Sequence, residues 1–214
     1  MKKPVTAFSH LKGCERMSHY FEDTRHLKSN RKDFSFRFWC FNYSFVSDNG
    51  VFSKEELDEG TRILLETSLK DGLSGKVLDL GCGIGPVGVV VKHNFNDCQV
   101  EMVDVNPRAI ELAKENAKRN NADVNIYLSD AFESIKTIDF SHILVNPPIR
   151  AGKVVIYKMF EQSIDHLAKD GCLWVVMRKS HGALSAKKKL EEIYGNCEIV
   201  NREKGFYILC CKKS

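Results

Sequence analysis

The chain reads as an α/β protein: a doubly wound, mainly parallel seven-stranded sheet with an antiparallel C-terminal hairpin strand, preceded by a β-rich N-terminal extension. Three observations predict this class. From residue 77 onward, short apolar runs alternate with helix-length amphipathic segments, the pattern of successive βαβ units. A glycine-rich turn, Gly81-Cys82-Gly83-Ile84-Gly85, follows the first of these strands and opens a helix. Only Arg202-Glu203-Lys204-Gly205 separates the last two strands, too short a link for a parallel crossover.

The elements follow in order. Phe34, Phe36 and Phe38 alternate, and Trp39, Phe41, Tyr43 and Phe45 alternate in the opposite phase, which reads as strand with a bulge at the phase change. These aromatics suit a sheet core or packed flap better than a base-stacking platform. Asp48-Asn49-Gly50 is a turn signal. Ser53 to Glu56 fits a capping box, with Ser53 as N-cap and Glu56 at the third helical position. A helix to about Leu69 is predicted, with Leu57, Leu64 and Leu65 on its buried stripe. Strands are then expected at 77–80 and 100–104, with a helix starting near Gly85 between them. Asn106-Pro107 opens a helix to about Asn121, Pro107 sitting where its missing N–H costs nothing. Strands near 124–128 and 141–145, a helix over 153–167, a strand over 172–177 and a helix over 184–194 follow. The closing strands are expected near 197–201 and 206–211. Residues 1–51 form the extension and residues 52–214 the main domain in this reading.

Composition narrows the class. A chain of 214 residues can bury a substantial core without disulfides. No apolar run is long enough to cross a bilayer, and residues 1–12 carry no signal-type apolar stretch, so a cytoplasmic location is expected. The eight cysteines are scattered without any C-x-x-C pair, which predicts reduced, structural thiols and no metal site. A net charge of +4 does not by itself mark a nucleic-acid binder. Residues 1–32, however, hold eight basic side chains against three acidic ones. Nothing demands more than a monomer.

The glycine turn carries the first chemical signal. Gly83-Ile84-Gly85-Pro86-Val87-Gly88 also matches the dinucleotide fingerprint G-x-G-x-x-G, a weak signal alone. Asp79, two residues before Gly81, would repel a pyrophosphate and suits a cation such as the methionine end of S-adenosylmethionine (SAM). Pro86 removes an N–H that a phosphate would need. Asp104 ends the second strand, next to Val105, where a carboxylate can accept from both ribose hydroxyls of either ligand; capping the next helix is its plain alternative role. Asp130 ends the third strand and can accept from an adenine amino group, with the Ala131 N–H donating to the ring; otherwise it is a surface turn residue. Asn146-Pro147-Pro148 ends the fourth strand, facing the glycine turn in this topology. Proline geometry fixes both Asn146 and Pro147. The Asn146 side-chain oxygen and the Pro147 carbonyl can both accept from one amino group. That suits methylation of an exocyclic or amide nitrogen, whose delocalised lone pair must be aimed at the methyl group by positioning and electrostatics.

These motifs together resemble class I SAM-dependent methyltransferases. Gly50-Val51-Phe52-Ser53, Leu57 to Thr61, Asn146-Pro147-Pro148 with Gly152, and Gly205-Phe206-Tyr207 are similar, more narrowly, to the ribosomal RNA guanine-N2 methyltransferases of the small subunit, in their short single-domain form. The resemblance covers about residues 17 to 212. It implies that SAM lies across Asp79, Gly81, Cys82, Gly83, Gly85, Asp104, Val105, Asp130, Ala131 and Asn146, with Phe52 and Thr61 closing over its methionine end. It implies ribosomal RNA or an assembling small subunit as partner, with a guanosine flipped beside Asn146. Related enzymes often carry an aromatic residue after Asn-Pro-Pro; this chain has Ile149, and Arg150 is the expected substitute for stacking. Arg150, Lys153, Arg178 and Lys179 are the expected RNA contacts, while Lys187 to Lys189 reads as a solvated helix face and His142 and His166 as structural. Methylation of protein glutamine or DNA adenine shares the Asn-Pro-Pro logic and stays open. The missing aromatic counts against adenine, and the lack of an N-terminal helical recognition domain counts against glutamine. A nicotinamide-dependent dehydrogenase would leave Asp79 and Asn146 without a role. Intact Asp104 and Asn146 argue against a non-catalytic RNA-binding module.

Overall fold

A computed structural model describes residues 27–52 and 56–214. The basic residues up to Arg25, Cys14 and the expected N-cap Ser53 lie outside them. Two sheets are present among the described residues. The smaller is an antiparallel pair, β1 (Lys32–Phe38) and β2 (Phe41–Ser47). The larger has seven strands: β3 (Lys76–Leu80), β4 (Gln99–Asp104), β5 (Asn125–Leu128), β6 (Phe140–Val145), β7 (Leu167–Arg178), β8 (Glu198–Glu203) and β9 (Phe206–Lys212). Their order across the sheet is β5-β4-β3-β6-β7-β9-β8, and β9 alone runs against its neighbours. Among the described residues five α-helices accompany them: α1 (Glu59–Ser68), α2 (Pro86–Asn94), α3 (Pro107–Arg119), α4 (Lys153–His166) and α5 (Ala183–Tyr194). The doubly wound, mainly parallel sheet is thus as the alternation predicts. Apolar residues fill both of its faces, Ile63, Leu64, Val89 and Val90 on one side and Phe160, Leu173 and Leu190 on the other.

The aromatic run is a hairpin and not a bulged strand. Phe34, Phe36 and Phe38 lie directly opposite Phe45, Tyr43 and Phe41. A two-residue turn separates Phe38 from Phe41, so pairing joins even to odd positions and puts both phases on one face. Trp39 belongs to that turn, at φ 48°, and is exposed. The face packs on the helices below, with Asn94 Nδ2 donating to Tyr43 Oη at 3.1 Å.

The outer edge of β2 is matched by side chains. Val46 N–H donates to Asn116 Oδ1 (2.7 Å) and Asn116 Nδ2 returns a bond to Val46 O (3.0 Å). One turn on, Asn120 does the same for Ser44, at 3.0 and 2.8 Å. Two amides one helical turn apart, one in α3 and one at its C-cap, thus satisfy strand groups that would otherwise lie open.

The helix expected after Ser53 begins later. Its N-cap is Asp58, whose Oδ2 accepts from Thr61 N at 2.9 Å, and Glu56 precedes the helix. The carboxylate of Asp58 thus serves as the cap, satisfying an N–H at the helix start. Leu64 and Leu65 are buried on the helix, and Leu57 is buried just ahead of it. Strand β7 also starts earlier than expected, at Leu167, because residues between Leu167 and Cys172 loop out of register with β6. Among the described residues no helix is long and apolar enough to cross a membrane.

Candidate active site

In a parallel sheet all strands end on one edge, and ligands collect there. Here the ends of β3, β4, β6 and β7 border a cleft of about 940 Å³. The loop after β5 and the residues following β2 complete it.

The glycine turn forms the floor. Gly81 and Cys82 N–H both donate to Val103 O, at 2.9 and 2.8 Å, which ties the turn to the neighbouring strand. Gly81 and Gly83 take positive φ (76° and 55°), and a Cβ added at Gly83 would meet nothing within 4 Å. The turn therefore presents bare backbone to the cleft. Gly85 does a different job from the one expected. It lies outside the cleft lining, at φ 94°, where a Cβ would come 2.8 Å from Met102 Cε. It lets α2 pack on β4.

Among the described residues four carboxylates border the cleft. Asp79 is buried, with Oδ2 accepting from Gly88 N at 2.9 Å in the first turn of α2. Burial raises its carboxyl from 3.8 to about 7, with the Gly88 bond opposing and Asp104 adding to the rise. Asp104 accepts from Gly83 N and Asn106 N, both at 2.8 Å, and its carboxyl is also raised by burial. The helix N-cap at this point is Asn106, not Asp104. Asp130 has a buried Oδ1 without a hydrogen-bond partner, and burial and then Glu133 push its carboxyl upward while Lys158 opposes. Ala131 beside it sits in the left-handed region, at φ 47°. Asp58 is the fourth.

Asp58 and Thr61 hold Asn146. Asn146 Nδ2 donates to Asp58 Oδ2 at 3.1 Å and to Thr61 Oγ1 at 3.0 Å, and Thr61 Oγ1 donates to the same carboxylate oxygen at 3.2 Å. A carboxylate only accepts, so it fixes which end of the amide faces it. The Asn146 oxygen is left for a ligand donor. The role of Asp58 was not visible in the sequence, because its partner lies 88 positions away.

Most of the expected residues meet in the cleft: Phe52, Thr61, Asp79, Gly81, Cys82, Gly83, Asp104, Val105, Asp130, Ala131, Asn146, Pro147, Pro148, Ile149, Arg150 and Arg178. Lys153 does not border it; it lines a small adjoining pocket between the first turns of α4 and α5. Lys179 lines neither. His181 and Lys158 border the cleft too, although no sequence motif marks them, and Phe206 of the Gly205-Phe206-Tyr207 motif joins them. His142 bonds to Trp174 Nε1 and His166 to Thr137 O, both away from it.

The model of the methyltransferase small domain family matches residues 42–210. The chain belongs to that family. The fold and family are thus those of class I, SAM-dependent methyltransferases, as the motifs led one to expect. The uncharacterized protein YbxB of Bacillus subtilis is 44% identical over 91% of this chain and 98% of its own. Ribosomal RNA small subunit methyltransferase C of Vibrio cholerae is 34% identical over 77% of this chain, which spans only 48% of that enzyme. The 16S rRNA N2 methyltransferase RsmC of T. thermophilus, solved with AdoMet and guanosine, shares the fold with a TM-score of 0.79 and 24% identity, over 88% of this chain and 52% of its own.

The residues present fit the methyl donor of this family. A buried carboxylate raised toward neutrality suits a cationic ligand, which restores its ionised form. The orphaned Asp130 oxygen lacks a donor that an amino group would supply. The open backbone at Gly83 leaves room for a ligand against the turn.

Proposed function

We propose that this protein methylates the exocyclic N2 of a guanosine in small-subunit ribosomal RNA. The observation that carries the reading is the anchored Asn146, whose amide nitrogen is engaged by Asp58 and Thr61 so that its oxygen is free to accept. The similarity to ribosomal RNA small subunit methyltransferase C supports the substrate class.

SAM, when bound, supplies a methyl group activated by its sulfonium. Asp79 balances positive charge at the methionine end. Asp104 accepts from the ribose hydroxyls, and Asp130 from the adenine amino group. The Asn146 oxygen and the Pro147 carbonyl each accept one N2 hydrogen of the guanine. This grip draws the nitrogen lone pair out of conjugation and aims it along the line of displacement. SAM would supply the methyl group to the nitrogen that Asn146 and Pro147 hold, the N–C bond forming as the C–S bond breaks, and the surplus proton would leave to water. Since Pro147 is fixed in φ, neither acceptor must reorganise as positive charge grows on the nitrogen. Arg150 and Arg178 meet the RNA at the mouth.

The test is methyl transfer from radiolabelled SAM to small-subunit rRNA, naked and assembled, with products read by nucleoside mass spectrometry. N2-methylguanosine is expected. Asn146→Ala should cut transfer by about 10²- to 10³-fold, far more than it weakens SAM binding. Label in N6-methyladenine of DNA, or in protein glutamine, would replace this reading. SAM binding with no label in any RNA would end it.

A further inference from the structure

We propose that Arg178, backed by the ring of Phe206, is the platform on which the flipped base stacks. The inference rests on the guanine-N2 reading above and names the part of the site that holds the base plane.

Arg178 ends β7 and lies directly across from Phe206, which begins β9. Its guanidinium carbon sits 4.4 Å from the centroid of the Phe206 ring. That ring is fixed. It is 7% exposed and packs against α1 at Gly60, where an added Cβ would lie 2.8 Å from Phe206 Cε1. A guanidinium laid flat on such a ring uses one face there and offers the other to a base. Arg178 itself is exposed and borders the cleft together with Asn146 and Ile149. Among the described residues no acidic side chain pairs with it, so the ring and not a carboxylate sets its position.

The platform is also tied to the acceptor. Gly60, which lodges the ring, precedes Thr61, which holds Asn146 at 3.0 Å. One turn of α1 therefore sets both the plane of the base and the grip on its amino group. Arg150, expected from the sequence to stack, lies in the single turn Ile149–Ala151 with no ring contact among the described residues. Ile149 leaves the usual stacking position without an aromatic, and the Arg178–Phe206 pair supplies a flat face from the neighbouring strand.

Guanosine tests this without a phosphate to confuse charge with stacking. Its binding is measured by titration calorimetry on protein saturated with S-adenosylhomocysteine, beside KM and kcat for small-subunit rRNA. Arg178→Ala should weaken guanosine about tenfold and raise KM more than it lowers kcat, with S-adenosylhomocysteine affinity unchanged. Arg178→Tyr should restore most of the loss. Arg178→Lys should not, since an ammonium has no plane. Rescue by Lys overturns the stack in favour of a simple charge contact. Unchanged guanosine binding in Arg178→Ala overturns it, as does wild type that ignores guanosine. If wild type makes N2-methylguanosine and Arg178→Ala does so with unaltered KM, the stack alone fails. If wild type makes none, the guanine reading fails with it.

Discussion

Burial raises the Asp79 carboxyl to about 7, so below that pH the ligand-free chain holds a proton there that a cationic ligand must expel. The sign follows. Binding favours the ionised form, so SAM affinity should rise with pH up to about 7 and level off above it. Calorimetry from pH 5.5 to 8.5 checks this, and a flat profile would remove Asp79 from the cation site. Folding runs the other way. The folded-state value exceeds the ordinary 3.8, so ligand-free stability is lost as pH climbs from about 4 through 7. Asp79→Asn keeps an acceptor for Gly88 N–H but removes the buried charge. It should melt higher than wild type at pH 8, match it near pH 4, and bind SAM at least tenfold more weakly.

At the scale of elements, Asn116 links three pieces of the fold. Its amide bonds Val46 on both sides and donates to Ile84 O at 2.9 Å, inside the glycine turn. Asn116→Ala would leave three buried backbone groups unmatched. A loss of about 3 kcal/mol in urea unfolding is expected, with weaker SAM binding because the turn loses a support. The same residue shows where sequence reading stops. Buried parallel strands and the turn between Asp79 and Gly85 announce themselves locally, since each requires a run of neighbouring residues. So do Asp104, Asp130 and Asn146, which end strands on one edge. Asn116 and Asp58 serve partners 70 and 88 positions away and look like ordinary helix and cap residues. The hairpin hides in the sequence for a related reason. A strand reversal by two residues and a bulge both invert the alternation, and only cross-strand pairing tells them apart.

Taken as a whole, the cleft carries charge of both signs. Asp58, Asp79, Asp104 and Asp130 line it together with Arg150, Lys158 and Arg178, and Lys153 lines the adjoining pocket. The opening therefore offers carboxylates to a cation and basic side chains to a polyanion. If these basic side chains track an RNA backbone, rRNA affinity should fall steeply between 50 and 200 mM salt. Replacing Arg150 and Lys153 together by Ala should reduce the log–log slope by about two. Filter binding measures it, and an unaltered slope would move the RNA track elsewhere.

Asn146 is followed by proline, and that order has a bearing on how the protein ages. Asparagine usually turns into aspartate when the next backbone nitrogen attacks its side-chain carbonyl, and Pro147 has no N–H with which to do so. The carboxamide on which acceptance depends is chemically durable. Asn49 stands before Gly50, the most permissive successor for that same attack, and Gly50 borders the same cleft. Wear in this enzyme should start at its rim and spare its centre.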